Sequence, residues 1–177
     1  MRESQAATLR ENTAWLRRVP LFAQMDDAKL RMLAFASERI SVEEGEFLYR
    51  QGDKAEASYV IVEGQVSIIH EDEDGPHEIL TLKEGDLVGE LSLFTDEPCL
   101  TSARAMAPLQ LLRISKGIHL RMQQEFPDIS VGMTRILAEA LSHGFKEIFR
   151  LRRLLRKYDP EAGGAFEPPK PGDGGKS

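Results

Sequence analysis

Between Arg39 and Ile114 the hydrophobic positions recur every second residue. Phe47 and Tyr49, Val60 and Val62, Val66 and Ile68, Ile79 and Thr81, and Leu109 and Leu111 each step over a residue facing the other way, as strands with one buried face do. Turn signals punctuate them: Glu44-Gly45, Gly52-Asp53, Glu63-Gly64, Asp74-Gly75-Pro76 and Glu84-Gly85. About eight short strands so spaced predict a mainly β fold with flanking helices, an antiparallel jelly-roll β-barrel or double-stranded β-helix.

On either side the period becomes helical. Residues 3–18 predict a polar capping helix in which Ala7, Leu9, Ala14, Trp15 and Leu16 only partly align, with Trp15 as its anchor. Pro20 stops it, and Asp26 or Asp27 can N-cap a second helix whose Leu30, Leu33, Ala34 and Phe35 form one buried stripe. After the strands, Ser115 caps a short helix over 116–124, Phe126-Pro127 breaks it, and Asp128 caps a long one over 128–158. Along the long helix Leu137, Leu141, Gly144, Ile148, Leu151 and Leu155 recur at steps of four and three, the period of a coiled-coil seam. The chain therefore divides into a capping helix (1–18), a β body with short helices (19–127), the long helix (128–158) and a tail (159–177). The tail, DPEAGGAFEPPKPGDGGKS, is dominated by proline, glycine and charge, and is expected to be disordered.

Composition narrows the function. At 177 residues the chain can bury a proper core, and its formal net charge of -6 argues against wholesale electrostatic binding of nucleic acid. No apolar run is long enough for a membrane span, and MRESQAATLREN lacks the apolar stretch of a signal peptide. A single cysteine excludes an intrachain disulfide and fits a reducing compartment, so the expected location is the cytoplasm. His70, His77, His119 and His143 are scattered without metal-ligand spacing, so no metal is expected. Cys99 paired with a distant histidine is a weak nucleophile signal, and a binding module is expected rather than an enzyme. The basic run Lys146, Arg150, Arg152, Arg153, Arg156 and Lys157 at the end of the long helix reads as a solvated face, with an acidic protein partner or an anionic surface as the second reading.

The candidate chemistry lies in GDLVGELSLFTDEPCLTSARA, residues 85–105. It reads as a turn at Gly85-Asp86, a short strand, Gly89, one helical turn from Glu90 to Phe94, a loop closed by Pro98, and a strand from Thr101 to Ala105. The first amides of such a turn have no intrahelical partners and attract an anion. Gly89 allows close approach to the backbone. Glu90 is acceptor-only and suits a ligand with a hydroxyl beside its phosphate.

This stretch resembles the phosphate-binding cassette of cyclic-nucleotide-binding domains, as in catabolite activator protein and the regulatory subunits of cAMP-dependent kinase. PLFAQMDDAKLRMLA, Glu44-Gly45-Glu46, Gln51-Gly52-Asp53, YVIVEGQV and FPDIS match the same family in order and spacing, from about Val19 to about Leu155. The resemblance implies a nucleotide held by Gly89, Glu90, Leu91, Ser92, Cys99, Leu100, Thr101 and Ser102, with Glu90 on the ribose 2′-hydroxyl. It implies a homodimer through Leu137, Leu141, Ile148, Leu151 and Leu155, and a base-facing position for Gly144 and Phe145. Two departures stand out. Cys99 occupies the place of the family's phosphate-binding arginine, and losing such a charged hydrogen bond weakens binding by roughly 10- to 200-fold. Gly144 and Phe145 replace two hydroxyl residues near the base, which leaves cAMP, cGMP and other nucleotides open. A winged helix-turn-helix needs roughly 60–80 residues to fold, and the tail supplies no such core. The expectation is thus a sensor that signals to an effector protein without binding DNA, or alternatively a degenerate dimeric scaffold that binds no ligand.

Overall fold

The computed structural model describes residues 2–54, 56–90 and 97–126, of residues 2–5 the backbone alone; all of these lie in the compact unit Met1–Thr134. Their order is α1 (Arg2–Arg18), α2 (Asp27–Ala36), β1 (Glu38–Val42), β2 (Phe47–Tyr49), β3 (Ala57–Glu63), β4 (Val66–Asp72), β5 (Gly75–Leu82), β6 (Leu87–Val88), β7 (Ser102–Ala105), β8 (Leu109–Ser115) and α3 (Lys116–Glu125). The strands form two four-stranded sheets, β1-β8-β3-β6 and β2-β7-β4-β5, with every pair antiparallel. The expected strands are present, but the two sheets do not close into a barrel: β1 and β6 end one, β2 and β5 the other. The predicted long helix, its cap Asp128, its seam residues Leu137, Leu141, Ile148, Leu151 and Leu155, and the tail lie outside the described residues.

Between the sheets Ile61, Val66, Ile68, Val88, Ala103, Ala105, Leu109 and Leu111 form one buried cluster. Strand alternation sends Val60, Leu112 and Ile114 to the opposite face of the first sheet, where they are also fully buried. There α1 packs on β3 and α3 on β8, bringing Leu16, Val19, Phe22, Leu30 and Leu33 into the interior. β3 is thus buried on both faces, and Ile61, not Val60 or Val62, is its contribution to the cluster between the sheets.

The helix ends follow the sequence closely. Asp26 caps α2 by accepting from the Lys29 amide, and Ser115 caps α3 by accepting from the Ile118 amide. Three expectations fail in detail. Leu16, fully buried, anchors α1, whereas Trp15 is half-buried beneath the Arg18 guanidinium at 4.3 Å. Phe35 is 82% exposed, because α2 turns only Leu30, Leu33 and Ala34 inward. Ile79 and Thr81 are exposed, since β5 is an edge strand with neither face covered by a described element.

Candidate functional site

The stretch over 85–105 begins on one sheet and ends on the other. At its entrance Gly85 adopts φ +88° and donates its amide to the Ile61 carbonyl at 2.8 Å, while the Asp86 carbonyl accepts from the Ile61 amide at 3.0 Å. The Asp86 carboxylate closes the turn by accepting from the Lys83 amide at 2.9 Å. These bonds fix β6 against β3, with Val88 opposite Tyr59 and Leu87 opposite Val60.

Gly89 follows with φ +74°, a left-handed conformation that costs a side chain dearly. A Cβ there would stand 3.3 Å from the Ala57 carbonyl oxygen and 3.4 Å from Cε1 of Tyr49. The glycine therefore lets the backbone pass close to β3 and the Tyr49 ring, which positions Glu90. The Glu90 side chain reaches solvent, yet desolvation by the protein beside its carboxyl raises its pKa above the usual carboxylate value.

The exit runs beside the end of β2. Pro98 bridges Lys54 in antiparallel fashion, the Cys99 amide donates to the Asp53 carbonyl at 2.8 Å, and the Cys99 carbonyl accepts from the Gly52 amide at 2.8 Å. Cys99 is half-buried, and burial, with the Asp53 carboxylate nearby, pushes its thiol upward, so it is neutral at pH 7. Leu100 is 68% exposed, and its carbonyl lies 3.2 Å from Nδ1 of His70. Ser102 is fully buried, with its hydroxyl accepting from the Gln51 amide at 2.8 Å. That hydroxyl serves as a strut inside the fold. Gln51 extends the strut to β4: its side-chain amide donates to the Glu71 carbonyl and accepts from the Glu71 amide, each at 2.9 Å.

The two ends meet at Tyr49. Burial raises this phenol to about 12; a hydrogen bond with the Thr101 side chain acts in the opposite sense, and Cys99, Tyr59 and Glu90 lie close enough to act on it electrostatically. Glu90, Thr101 and Cys99 are therefore brought together, around a tyrosine that sequence reasoning placed only in the core alternation. The signal that could have found it is its position: Tyr49 ends β2 with only Arg50 between it and the Gln51-Gly52-Asp53 turn that pairs with Cys99. Leu91 and Ser92 lie outside the described residues, as do the base-facing candidates Gly144 and Phe145.

Chemically the cluster can hold a ligand by hydrogen bonds. Its thiol and phenol stay protonated at neutral pH, since burial raises both and the neighbouring carboxylates Asp53 and Glu90 disfavour their anions. Elsewhere His70 and His77 face each other across β4 and β5, with His77 3.3 Å from Asp72. Among the described residues no group of three or more His, Cys, Asp or Glu could hold a metal ion. No described helix is long and apolar enough to cross a membrane.

Comparison with known proteins accords with this geometry. Residues 39–126 match the cyclic nucleotide-binding domain. The chain is 32% identical over 117 residues to the cAMP-dependent protein kinase regulatory subunit of Blastocladiella emersonii, covering 66% of this chain and 29% of that protein. A cyclic nucleotide-binding-like protein of Brucella abortus shares the fold with TM-score 0.58 and 32% identity, over 64% of this chain and 98% of the other. The N-terminal domain of a transcriptional regulator from Streptomyces coelicolor A3(2) superposes with TM-score 0.66 at 28% identity, over 73% of this chain and 94% of that domain. The chain belongs to the cyclic nucleotide-binding domain family. This is a regulatory, ligand-binding family, not a catalytic one, and the chain spans less than a third of the kinase regulatory subunit that it matches.

Proposed function

We propose that this chain is a sensor whose cassette takes a cyclic nucleotide, cAMP or cGMP, and whose long helix passes the change to an effector protein. The observation that carries the reading is that Tyr49, hydrogen-bonded to the Thr101 side chain, lies within electrostatic reach of Glu90, beside the close approach of Gly89 to β3. A carboxylate there accepts from a ribose hydroxyl, and the proposal assigns the phosphate to the stretch of Gly89, Glu90, Leu91 and Ser92. The kinship with a cAMP-dependent kinase regulatory subunit supports cAMP as the first candidate. A cytoplasmic homodimer joined through Leu137, Leu141, Ile148, Leu151 and Leu155, with Gly144 and Phe145 toward the base, completes the proposal.

Cys99 favours a second reading. A neutral thiol beside the Asp53 carboxylate stands where the family places a cation, and this suits a scaffold that has given up its ligand. Calorimetric titration with cAMP, cGMP and cyclic di-GMP separates the two, run in parallel on Cys99→Arg and Glu90→Ala. Saturable binding by the native protein, weakened in Glu90→Ala, supports the sensor. Silence from the native protein with binding gained in Cys99→Arg establishes the scaffold.

A further inference from the structure

Apart from the cassette, the two N-terminal helices enclose a groove of about 330 Å³. Its floor is apolar: Ala6, Leu9 and Thr13 line it, and the Thr13 hydroxyl is tied to the Leu9 carbonyl of its own helix at 2.7 Å. Its rim is cationic. Arg10 and Arg17 come from α1, one above the other at a spacing of seven residues, and Arg31 comes from α2. Arg17 is paired with Asp27, the one acidic residue in the lining among the described residues. Arg10 and Arg31 are exposed and have no carboxylate partner among the described residues. By contrast, other cations of these helices and of the neighbouring strands are spoken for: Lys29 by Asp26, Arg39 by Glu11, Arg113 by Glu38. Two guanidiniums without a carboxylate partner among the described residues flank an apolar floor in a chain whose formal net charge is -6.

We propose that this groove is a docking surface for an acidic, amphipathic segment of a partner protein. Carboxylates of the segment engage Arg10 and Arg31, and an aliphatic side chain between them lies on Ala6, Leu9 and Thr13. Guanidinium forks favour carboxylates because both carboxylate oxygens can accept at once. The apolar floor sets the segment's second requirement, since a purely charged chain leaves it uncovered. The surface belongs to α1 and α2 and does not depend on nucleotide binding at the cassette.

The test uses the full chain and a fluorescein-labelled 12-residue peptide carrying glutamate and leucine at helical spacing, followed by anisotropy. Saturable binding that falls with added salt and weakens at least about tenfold in an Arg10→Glu/Arg31→Glu variant is expected. The variant is first checked by circular dichroism and by its nucleotide titration, both of which should match the native protein, so failure here is separable from failure at the cassette. A second variant, Leu9→Ser, tests the floor and is expected to weaken the peptide while leaving salt dependence unchanged. Absence of saturable binding, equal binding by the charge-reversed variant, or equal binding of a glutamate-only peptide overturns the proposal. Binding to phosphatidylserine vesicles in place of the peptide also overturns it.

Discussion

The contact made by Gly89 can be measured apart from its backbone conformation, because the chain contains a built-in reference. Gly89 has φ +74° and Gly52 has φ +85°, so alanine at either position incurs a similar left-handed penalty of about 1–2 kcal/mol. Both substitutions also reduce the freedom of the unfolded chain by similar amounts, and this effect cancels between them. What differs is space. Nothing lies within 4 Å of a Cβ built on Gly52, whereas a Cβ on Gly89 stands 3.3 Å from the Ala57 carbonyl oxygen and 3.4 Å from the Tyr49 ring. Ala57 is held in β3 by its pairing with Ser115, and Tyr49 is packed against the core cluster, so neither neighbour retreats freely. Overpacking of this kind costs about 1–3 kcal/mol. Gly52→Ala should therefore lose about 1–2 kcal/mol and Gly89→Ala about 2–5 kcal/mol. Urea titration followed by circular dichroism gives both values, with the slope required to stay constant. Equal losses would refute the argument that close packing, rather than backbone conformation alone, selects glycine at 89.

Three further outcomes are expected. His119 is buried and held neutral, its pKa lowered to about 4 by burial and by Lys116, so the unfolded chain takes up a proton first as pH falls. Stability should decline as pH drops from 6.5 toward about 4, and His119→Phe should flatten that slope in urea titrations across the window. Tyr49 gives the opposite case: its phenol keeps its proton in the fold while the unfolded chain loses it, so stability should fall between pH 10 and about 12. Tyr49→Phe should abolish that alkaline loss, while at pH 7 it forfeits the Thr101 hydrogen bond, about 1 kcal/mol by thermal denaturation. Ser102→Ala leaves the Gln51 amide without its acceptor and should cost about 1–3 kcal/mol; a neutral result would mean that the strut carries no load.

The strands were legible because their turns are written in glycine. Gly45, Gly52, Gly64, Gly75 and Gly85 all adopt positive φ, and the period-two pattern between them has a single physical meaning. Alternation alone does not say how many layers lie outside a sheet. It therefore read β3 as having one buried face, although helices cover the other, and it read β5 as half-buried although its Ile79 is 59% exposed. Closure was equally invisible, since whether edge strands pair depends on contacts between residues remote in sequence. Trp15 and Phe35 misled for a related reason. Size marks a residue as worth burying, but the rotation of a helix against its neighbours decides which one is buried, and α1 and α2 chose Leu16 and Leu33. At the site, the order of glycine, carboxylate and proline marked the stretch over 85–105, whose Glu90, Cys99 and Thr101 come near Tyr49. Tyr49 was missed because its role comes from a pairing between Gly52 and Cys99, forty-seven residues apart along the chain.

β6 is bonded to β3 in one sheet, and β7 to β2 and β4 in the other, so the cassette is a covalent strap across the sandwich. A molecule gripping both Glu90 and Thr101 would act as a rivet through that strap. Its binding energy would then oppose the separation of the two layers, not merely the loosening of one loop. Amide exchange should record this as slowing shared by Tyr59 and Val60 on one side and Ala103 and Arg104 on the other, a mechanical signature of occupancy that can be read without knowing which nucleotide is bound.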